Sequence, residues 1–293
     1  MSVLKTEGLS KFYGKTEALK DVSFEVTPGS VFGILGPNGS GKTTFLGTVL
    51  QVLSPTRGRF QWFGKDPEPR QRRRIGTLLE TPNYYPYLTA TQNLRITASI
   101  RGIDESDIGR TVEAVGLSSY EKLPFSKYSL GMKQRLAIGG SLLGNPEVLV
   151  LDEPTNGLDP SGIADVRNLI GELHKSGKTI ILASHLLDQV EKVCTHLAIL
   201  KKGKLLQVGS MAEVLREETV IEVGAGNFQG LEKALSSFPV TLQLIAQDGG
   251  FRIKGQTTAE AINRHCFAHD VALNLLHTHK LDLESRFLEL TDD

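Results

Sequence analysis

The sequence has almost no cysteine, no long hydrophobic run and no net charge, and each shortage removes a class of protein. Two cysteines in 293 residues, Cys194 and Cys266, cannot supply a disulfide framework, so the chain is expected to fold by burial alone in a reducing cytosol. Met1-Ser-Val-Leu-Lys opens the sequence without an apolar leader, so no signal peptide is expected. The most apolar stretches, residues 148–151 and 180–183, fall far short of the roughly 18 residues that cross a bilayer. Membrane contact is therefore expected only through a partner. Lys+Arg and Asp+Glu both total 33, which argues against nonspecific nucleic-acid binding.

The zero charge conceals an asymmetry. Residues 217–293 hold 6 Lys+Arg against 12 Asp+Glu, leaving 27 against 21 in residues 1–216. A length near 300 residues allows about two domains, and the charge change near 216 marks the expected boundary. The densest basic run, Arg70, Arg72, Arg73 and Arg74, reads as a solvated face.

What is present is a phosphate cradle. Val-Phe-Gly-Ile-Leu at 31–35 reads as a buried strand, Gly36-Pro37-Asn38-Gly39-Ser40-Gly41-Lys42-Thr43-Thr44 follows, and Phe45, Leu46, Val49 and Leu50 continue with helical spacing. Strand, glycine loop and helix together form the context of a P-loop. Backbone N–H groups converge on phosphate oxygens and the helix start adds partial positive charge. Lys42 is expected to reach the β and γ phosphates of ATP, and the Thr43 hydroxyl to ligate Mg²⁺. Further on, Val-Leu-Val-Leu at 148–151 ends in Asp152-Glu153-Pro154, placing two carboxylates at the C-terminal end of a strand, where open α/β sheets bind ligands. Adjacent strand residues point opposite ways. Asp152 is accordingly assigned to the metal and Glu153 to the attacking water.

Tyr128-Ser129-Leu130-Gly131-Met132-Lys-Gln-Arg-Leu136 resembles the signature motif of ATP-binding cassette proteins, usually Leu-Ser-Gly-Gly-Gln. Ser129 and Gly131 match; Tyr128, Leu130 and Met132 depart in a way that resembles the drug-exporter and bacitracin-resistance branch, the ABC-2 type exporters. Ser129 suits the cap of a helix, whose N-terminus favours an anion. By the resemblance, that anion is the γ-phosphate on the opposite subunit. Tyr13, 23 residues before Gly36, resembles the aromatic that stacks on adenine, with Phe12 its rival. Asn156-Gly-Leu-Asp159 resembles the loop that crosses the dimer interface, and His185 the histidine that senses the γ-phosphate. Where the family carries a Gln near Mg²⁺, this chain has Glu80, also a hard oxygen ligand.

The resemblance covers residues 3–216 and implies a P-loop cassette with a helical subdomain inserted at about 90–145, where residues 94–100 and 108–115 read as helices. It further implies a head-to-tail ATP-sandwich dimer of two copies, and an integral-membrane permease that the pair drives from the cytoplasmic face of the membrane. The aromatic, Pro-rich residues 82–88, beside Glu80, are expected to contribute to the groove that receives the permease. Beyond 216, alternating strand and helix patterns read as a small α+β domain of βαββαβ, ferredoxin-like order at 217–293. Four histidines, His265, His269, His277 and His279, fall there, a set that zinc or copper could use. Rival readings are a cassette ATPase that regulates a non-transport process, and one whose His-rich tail senses or handles metal. Ribosome-acting cassettes usually carry two cassettes in a chain and DNA-repair cassettes a long coiled coil; this chain has one cassette and no coiled-coil pattern.

Overall fold

The computed structural model describes residues 2–79, 83–215, 220–247, 249–255, 257–279 and 283–291. The chain divides into two compact units, residues 1–211 and 212–293.

The first unit is built on β1 (Leu4–Tyr13), β2 (Thr16–Val26), β3 (Val31–Leu35), α1 (Lys42–Val49), β4 (Arg57–Trp62) and β5 (Ile75–Leu78). Three helices follow: α2 (Ala90–Arg101), α3 (Asp107–Ala114) and α4 (Leu130–Leu142). The unit continues with β6 (Val148–Asp152), α5 (Pro160–Lys175), β7 (Thr179–Ser184), α6 (Leu187–Val193), β8 (His196–Lys201) and β9 (Lys204–Ser210). Its nine strands form one sheet in the order β4-β1-β2-β9-β8-β3-β7-β6-β5. Strands β8, β3, β7, β6 and β5 are mutually parallel, while β1 pairs antiparallel with β2 and β4.

The parallel centre explains the sequence pattern there. Every residue of β3, β6 and β7 is buried, because helices cover both faces of such a sheet and no position alternates into water. The flanking helices show the opposite economy of apolar residues. In α5, Val166, Leu169, Ile170 and Leu173 form one buried stripe, each worth about 1.5–3 kcal/mol when fully buried. Asp159 accepts from the Gly162 amide at 2.9 Å and Pro160 occupies the first turn, which together fix where the helix starts.

The inserted helices α2–α4 span residues 90–142. Helix α2 starts four residues before the expected 94, because Thr89 and Gln92 form a reciprocal capping box. It stops at Gly102, which is left-handed at φ 62°. Helix α4 lies against β5 and β6.

The short helix α7 (Met211–Val214) spans the division between units. The second unit contains β10 (Val220–Ala225), α8 (Phe228–Ser236), β11 (Gln243–Gln247), β12 (Gly250–Lys254), α9 (Ala259–Ala268), β13 (Leu273–His279) and α10 (Leu283–Thr291). Its antiparallel sheet runs β11-β12-β10-β13, so the two βαβ halves interleave as the ferredoxin-like order requires. Leu231, Ala234 and Leu235 of α8 and Ile262 and Cys266 of α9 bury one face of this sheet with Ile221, Val223, Phe251 and Ile253. Strand β11 starts at Gln243, and Val240 before it is exposed; Pro239 supplies no donor to a ladder.

Candidate nucleotide site

The site lies at the C-terminal ends of β3, β6 and β7, three adjacent parallel strands. The loop from Gly36 to Gly41 closes over β3 with no room for a side chain at Gly36 or Gly41. A Cβ on Gly36 would lie 2.3 Å from the Leu200 carbonyl oxygen, and one on Gly41 2.7 Å from that of Ala18. Gly39 and Gly41 are left-handed at φ 79° and 108°, a conformation that other residues adopt at a cost. The loop is anchored from outside itself, since the Gly203 amide donates to the Ser40 carbonyl at 2.9 Å. Gly203 belongs to the Lys202-Gly203 turn between β8 and β9, both residues at positive φ, as a two-residue hairpin turn requires. Nothing in the local sequence of the loop announces this support.

Helix α1 begins at Lys42 with no side chain capping it, so its first amides remain available to an anion. Lys42 is only 6% exposed, and its ammonium donates to the Gly36 carbonyl at 2.8 Å and the Pro37 carbonyl at 3.4 Å. Ser40 Oγ is buried and has no partner among the described residues. An orphaned hydroxyl, uncapped amides and a buried ammonium in one concave loop form a donor set suited to phosphate oxygens.

Three charged or titratable groups converge there. Glu153 Oε1 stands 3.5 Å from Lys42 Nζ, and Glu153 Oε2 is 2.9 Å from His185 Nδ1. A carboxylate only accepts, so His185 Nδ1 carries the proton in this bond. His185 directly follows the end of β7, and the Glu153 amide donates to Ala183 of the same strand at 3.0 Å. The reason that Asp152 and Glu153 diverge differs from the expected strand alternation. Asp152 is the last residue of β6 and is 6% exposed, whereas Glu153 lies beyond the strand at φ 46°. A left-handed turn, disfavoured for glutamate, aims its side chain at Lys42 and His185. Thr43 is exposed beside this group and Thr44 half-buried. With Asp152, the Thr43 hydroxyl offers hard oxygen ligands suited to Mg²⁺. Glu80 lies outside the described residues; β5, which leads to it, neighbours β6.

Tyr13 ends β1 with 48% exposure, and the Lys11 ammonium stands 5.4 Å from its ring centroid. Its ring is therefore not core packing. Phe12 is half-buried under Arg57, 5.8 Å from its ring. Ser129 caps α4, accepting from the Met132 amide at 3.2 Å. Leu130 is exposed, and Gly131 packs near the start of α5, where an added Cβ would stand 3.5 Å from Gly162 Cα. The signature residues thus present a capped but outward-facing helix start.

The basic run at 70–74 is divided by its fold. Arg74 makes a two-pronged pair with Glu147 at 2.6 Å and stacks 3.5 Å over Phe63; this neighbour holds the Glu147 carboxyl below its ordinary pKa. Arg72 turns instead to Gln51. Tyr84 is the member of the expected aromatic segment that reaches into the first unit, with its ring edge-on to Phe125 and its hydroxyl donating to the Leu136 carbonyl at 3.4 Å. Burial pushes the Tyr84 phenol up to about 12. Tyr85 is exposed against Tyr87, and Pro82 lies outside the described residues.

Of the tail histidines, the His279 side chain lies outside the described residues, and His265 and His269 are engaged by their own unit. His265 and His269 have ring centroids 4.3 Å apart, but both turn to the end of α8. His265 Nε2 bonds the Ala234 carbonyl at 2.9 Å, and His269 Nε2 lies 3.4 Å from Ser237 Oγ. His277 faces Glu222 in the ladder. Among the described residues no three His, Cys, Asp or Glu side chains are placed to hold a metal ion.

A buried lysine in a glycine loop, with a carboxylate pair and a histidine on neighbouring strand ends, defines a P-loop nucleotide hydrolase. The family model described as ABC transporter matches residues 19–156. The bacitracin transport ATP-binding protein BcrA of Enterococcus faecalis is 35% identical, over 98% of this chain and 96% of its own length. The lantibiotic transport ATP-binding protein SrtF of Streptococcus pyogenes is 38% identical over 70% of this chain and 89% of its own. A nucleotide-free ATP-binding cassette from an ABC transporter superposes with a TM-score of 0.66 at 28% identity, covering 72% of this chain and 92% of that one. A cassette in its ADP conformation does so with the same TM-score and identity, over 72% and 91%. The chain belongs to the ATP-binding subunits of ABC transporters. Subunits of this family bind and hydrolyse ATP, dimerise and work with membrane permeases. Among the described residues no helix is long and apolar enough to cross a membrane.

Proposed function

We propose that this chain is the motor subunit of an ABC-2 type exporter, acting at the cytoplasmic face of the membrane as a head-to-tail pair of copies that share two ATP sites. The observation that carries this reading is the convergence of Lys42, Glu153 and His185 within 3.5 Å, while Ser129 presents a capped helix start on the outer surface.

In this reading the adenine stacks on Tyr13, and the amides of Gly36–Thr44 with Lys42 hold the phosphates. Lys42 would exchange its carbonyl partners, Gly36 and Pro37, for β and γ phosphate oxygens. Thr43 and Asp152, with Glu80 as a further oxygen donor, would hold Mg²⁺, which supplies charge neutralisation for the phosphates when bound. Glu153 orients a water and accepts its proton as the new O–P bond forms; the bond from the γ-phosphorus to the bridging oxygen breaks, releasing ADP and phosphate. His185, held by Glu153 through Nδ1, turns its other nitrogen to the γ-phosphate. Ser129 and Gly131 of the second copy complete the site, so ATP closes the pair and hydrolysis reopens it. The tail, residues 217–293, is a separate accessory domain.

Export is supported by the bacitracin transport relative that matches over 98% of this chain, and by Leu130, Met132 and Glu80. Purifying the chain from its own membrane and identifying what accompanies it tests the reading. An integral subunit with several apolar spans is the expected companion; recovery with no membrane protein contradicts it.

A further inference from the structure

The chain neighbours of Glu153 and His185 line one small recess of the first unit, about 20 Å³ in volume. Pro154 and Thr155, which follow Glu153, form one wall, and Ser184, which precedes His185, forms another. Arg167 of α5 and Gln189 of α6 complete the polar lining, and the remainder is aliphatic. A volume of this size accommodates a single water molecule.

One atom at this recess lacks what its chemistry requires. Gln189 Oε1 is buried with no hydrogen-bond partner among the described residues. The orientation of its amide is fixed by the neighbouring acid. Gln189 Nε2 donates to Asp188 Oδ2 at 2.9 Å, and a carboxylate only accepts, so Oε1 is the atom turned away from Asp188. A desolvated acceptor left unbonded is costly, and a water that donates to it removes the cost. Such a water needs further polar partners, and the walls supply them. Ser184 Oγ accepts from the Leu186 amide at 3.0 Å, and no described acceptor takes its own proton; Thr155 and Arg167 bring further side-chain donors to the same space.

The turn beside the recess also calls for support. Glu153 stands at φ 46°, a conformation that persists only where its surroundings over-determine it. Backbone bonds hold the turn from the strand side, where the Glu153 amide donates to the Ala183 carbonyl at 3.0 Å and the Asn156 amide to the Glu153 carbonyl at 3.1 Å. No described hydrogen bond joins Pro154 or Thr155 to Ser184 or Gln189 across the recess.

We propose that the recess holds one structural water bonded to Gln189 Oε1, and that Gln189 is a positioning residue which, through this water, ties the turn of Glu153 to the strand end of His185. The inference rests on the roles given to Glu153 and His185 above. To them it adds the device that keeps their 2.9 Å bond in place while Lys42 exchanges its partners.

The test measures steady-state ATP hydrolysis by the full chain with Mg²⁺. Gln189→Met keeps the length of the side chain and removes the inward acceptor. Its kcat should fall about tenfold, the order expected when a reacting group shifts by a fraction of an ångström, with KM unchanged. Gln189→Glu restores an acceptor beside Arg167 and should recover most of the lost kcat. Coupling separates positioning from general weakening: in a His185→Ala background Gln189→Met should cost nothing further, whereas independent effects multiply. A crystal structure of the wild-type chain, which no folding defect can blur, should show one water within hydrogen-bond distance of Gln189 Oε1. The proposal is overturned by wild-type kcat in Gln189→Met, by no recovery in Gln189→Glu, or by an undiminished effect of Gln189→Met beside His185→Ala. It is equally overturned by a crystal structure with no water in the recess, or with Arg167 bonded directly to Gln189. Wild-type hydrolysis by both Glu153→Gln and His185→Ala contradicts instead the roles on which the inference rests.

Discussion

The two units treat their polar residues in opposite ways. In the first, a lysine, a glutamate and a histidine leave three neighbouring parallel strands and meet at their ends, where Lys42 is buried against carbonyls of its own loop and Ser40 Oγ has no described partner. In the second, the groups at the end of α8 and along the β12–β10 ladder are matched within the unit, while Thr257 Oγ1 and Arg286 Nε are buried without a described hydrogen-bond partner. Arg252 pairs with Glu222 across the β12–β10 ladder at 2.7 Å, and His265 and His269 are occupied by the end of α8. Donors left unmatched inside a concave loop are held ready for a ligand, whereas the described groups of the tail stabilise the tail. This difference, rather than the number of histidines or acids, locates the chemistry.

The largest effect is expected at Lys42. Lys42→Ala removes the buried cation and should lower ATP hydrolysis by about 10²–10³-fold or more, measured as phosphate release; activity within a few-fold of wild type would dissolve the distinction between units. His185→Ala should cost about 10²-fold, with the loss in kcat rather than KM. A loss confined to KM would make His185 a binding group only. The smallest effect is expected in the tail. Thr258 caps α9, accepting from the Ala261 amide at 3.1 Å, so Thr258→Ala should reduce the stability of the second unit by about 1 kcal/mol and leave kcat unchanged. A kcat that falls with it would couple the tail to hydrolysis.

Much of the first unit was legible because its central strands are buried on both faces and read as unbroken apolar runs, which fixed the P-loop, Asp152-Glu153 and His185 at strand ends. The start of α2 was equally visible as Thr89-x-x-Gln92, a capping box that a search for apolar periodicity passes over. Other features belong to the fold alone. The turn at Glu153, the seat of Gly41 against the Ala18 carbonyl and the support of Ser40 by Gly203 depend on residues far apart in sequence.

A site completed by a second copy of the chain is probed by Glu153→Gln. The amide keeps the shape of the carboxylate but accepts no proton, so ATP should bind, persist and hold two copies together. Size-exclusion chromatography with light scattering, run with ATP and Mg²⁺, should show a dimer that reverts to monomer when ADP replaces ATP. A Glu153→Gln protein that stays monomeric with bound ATP would contradict the claim.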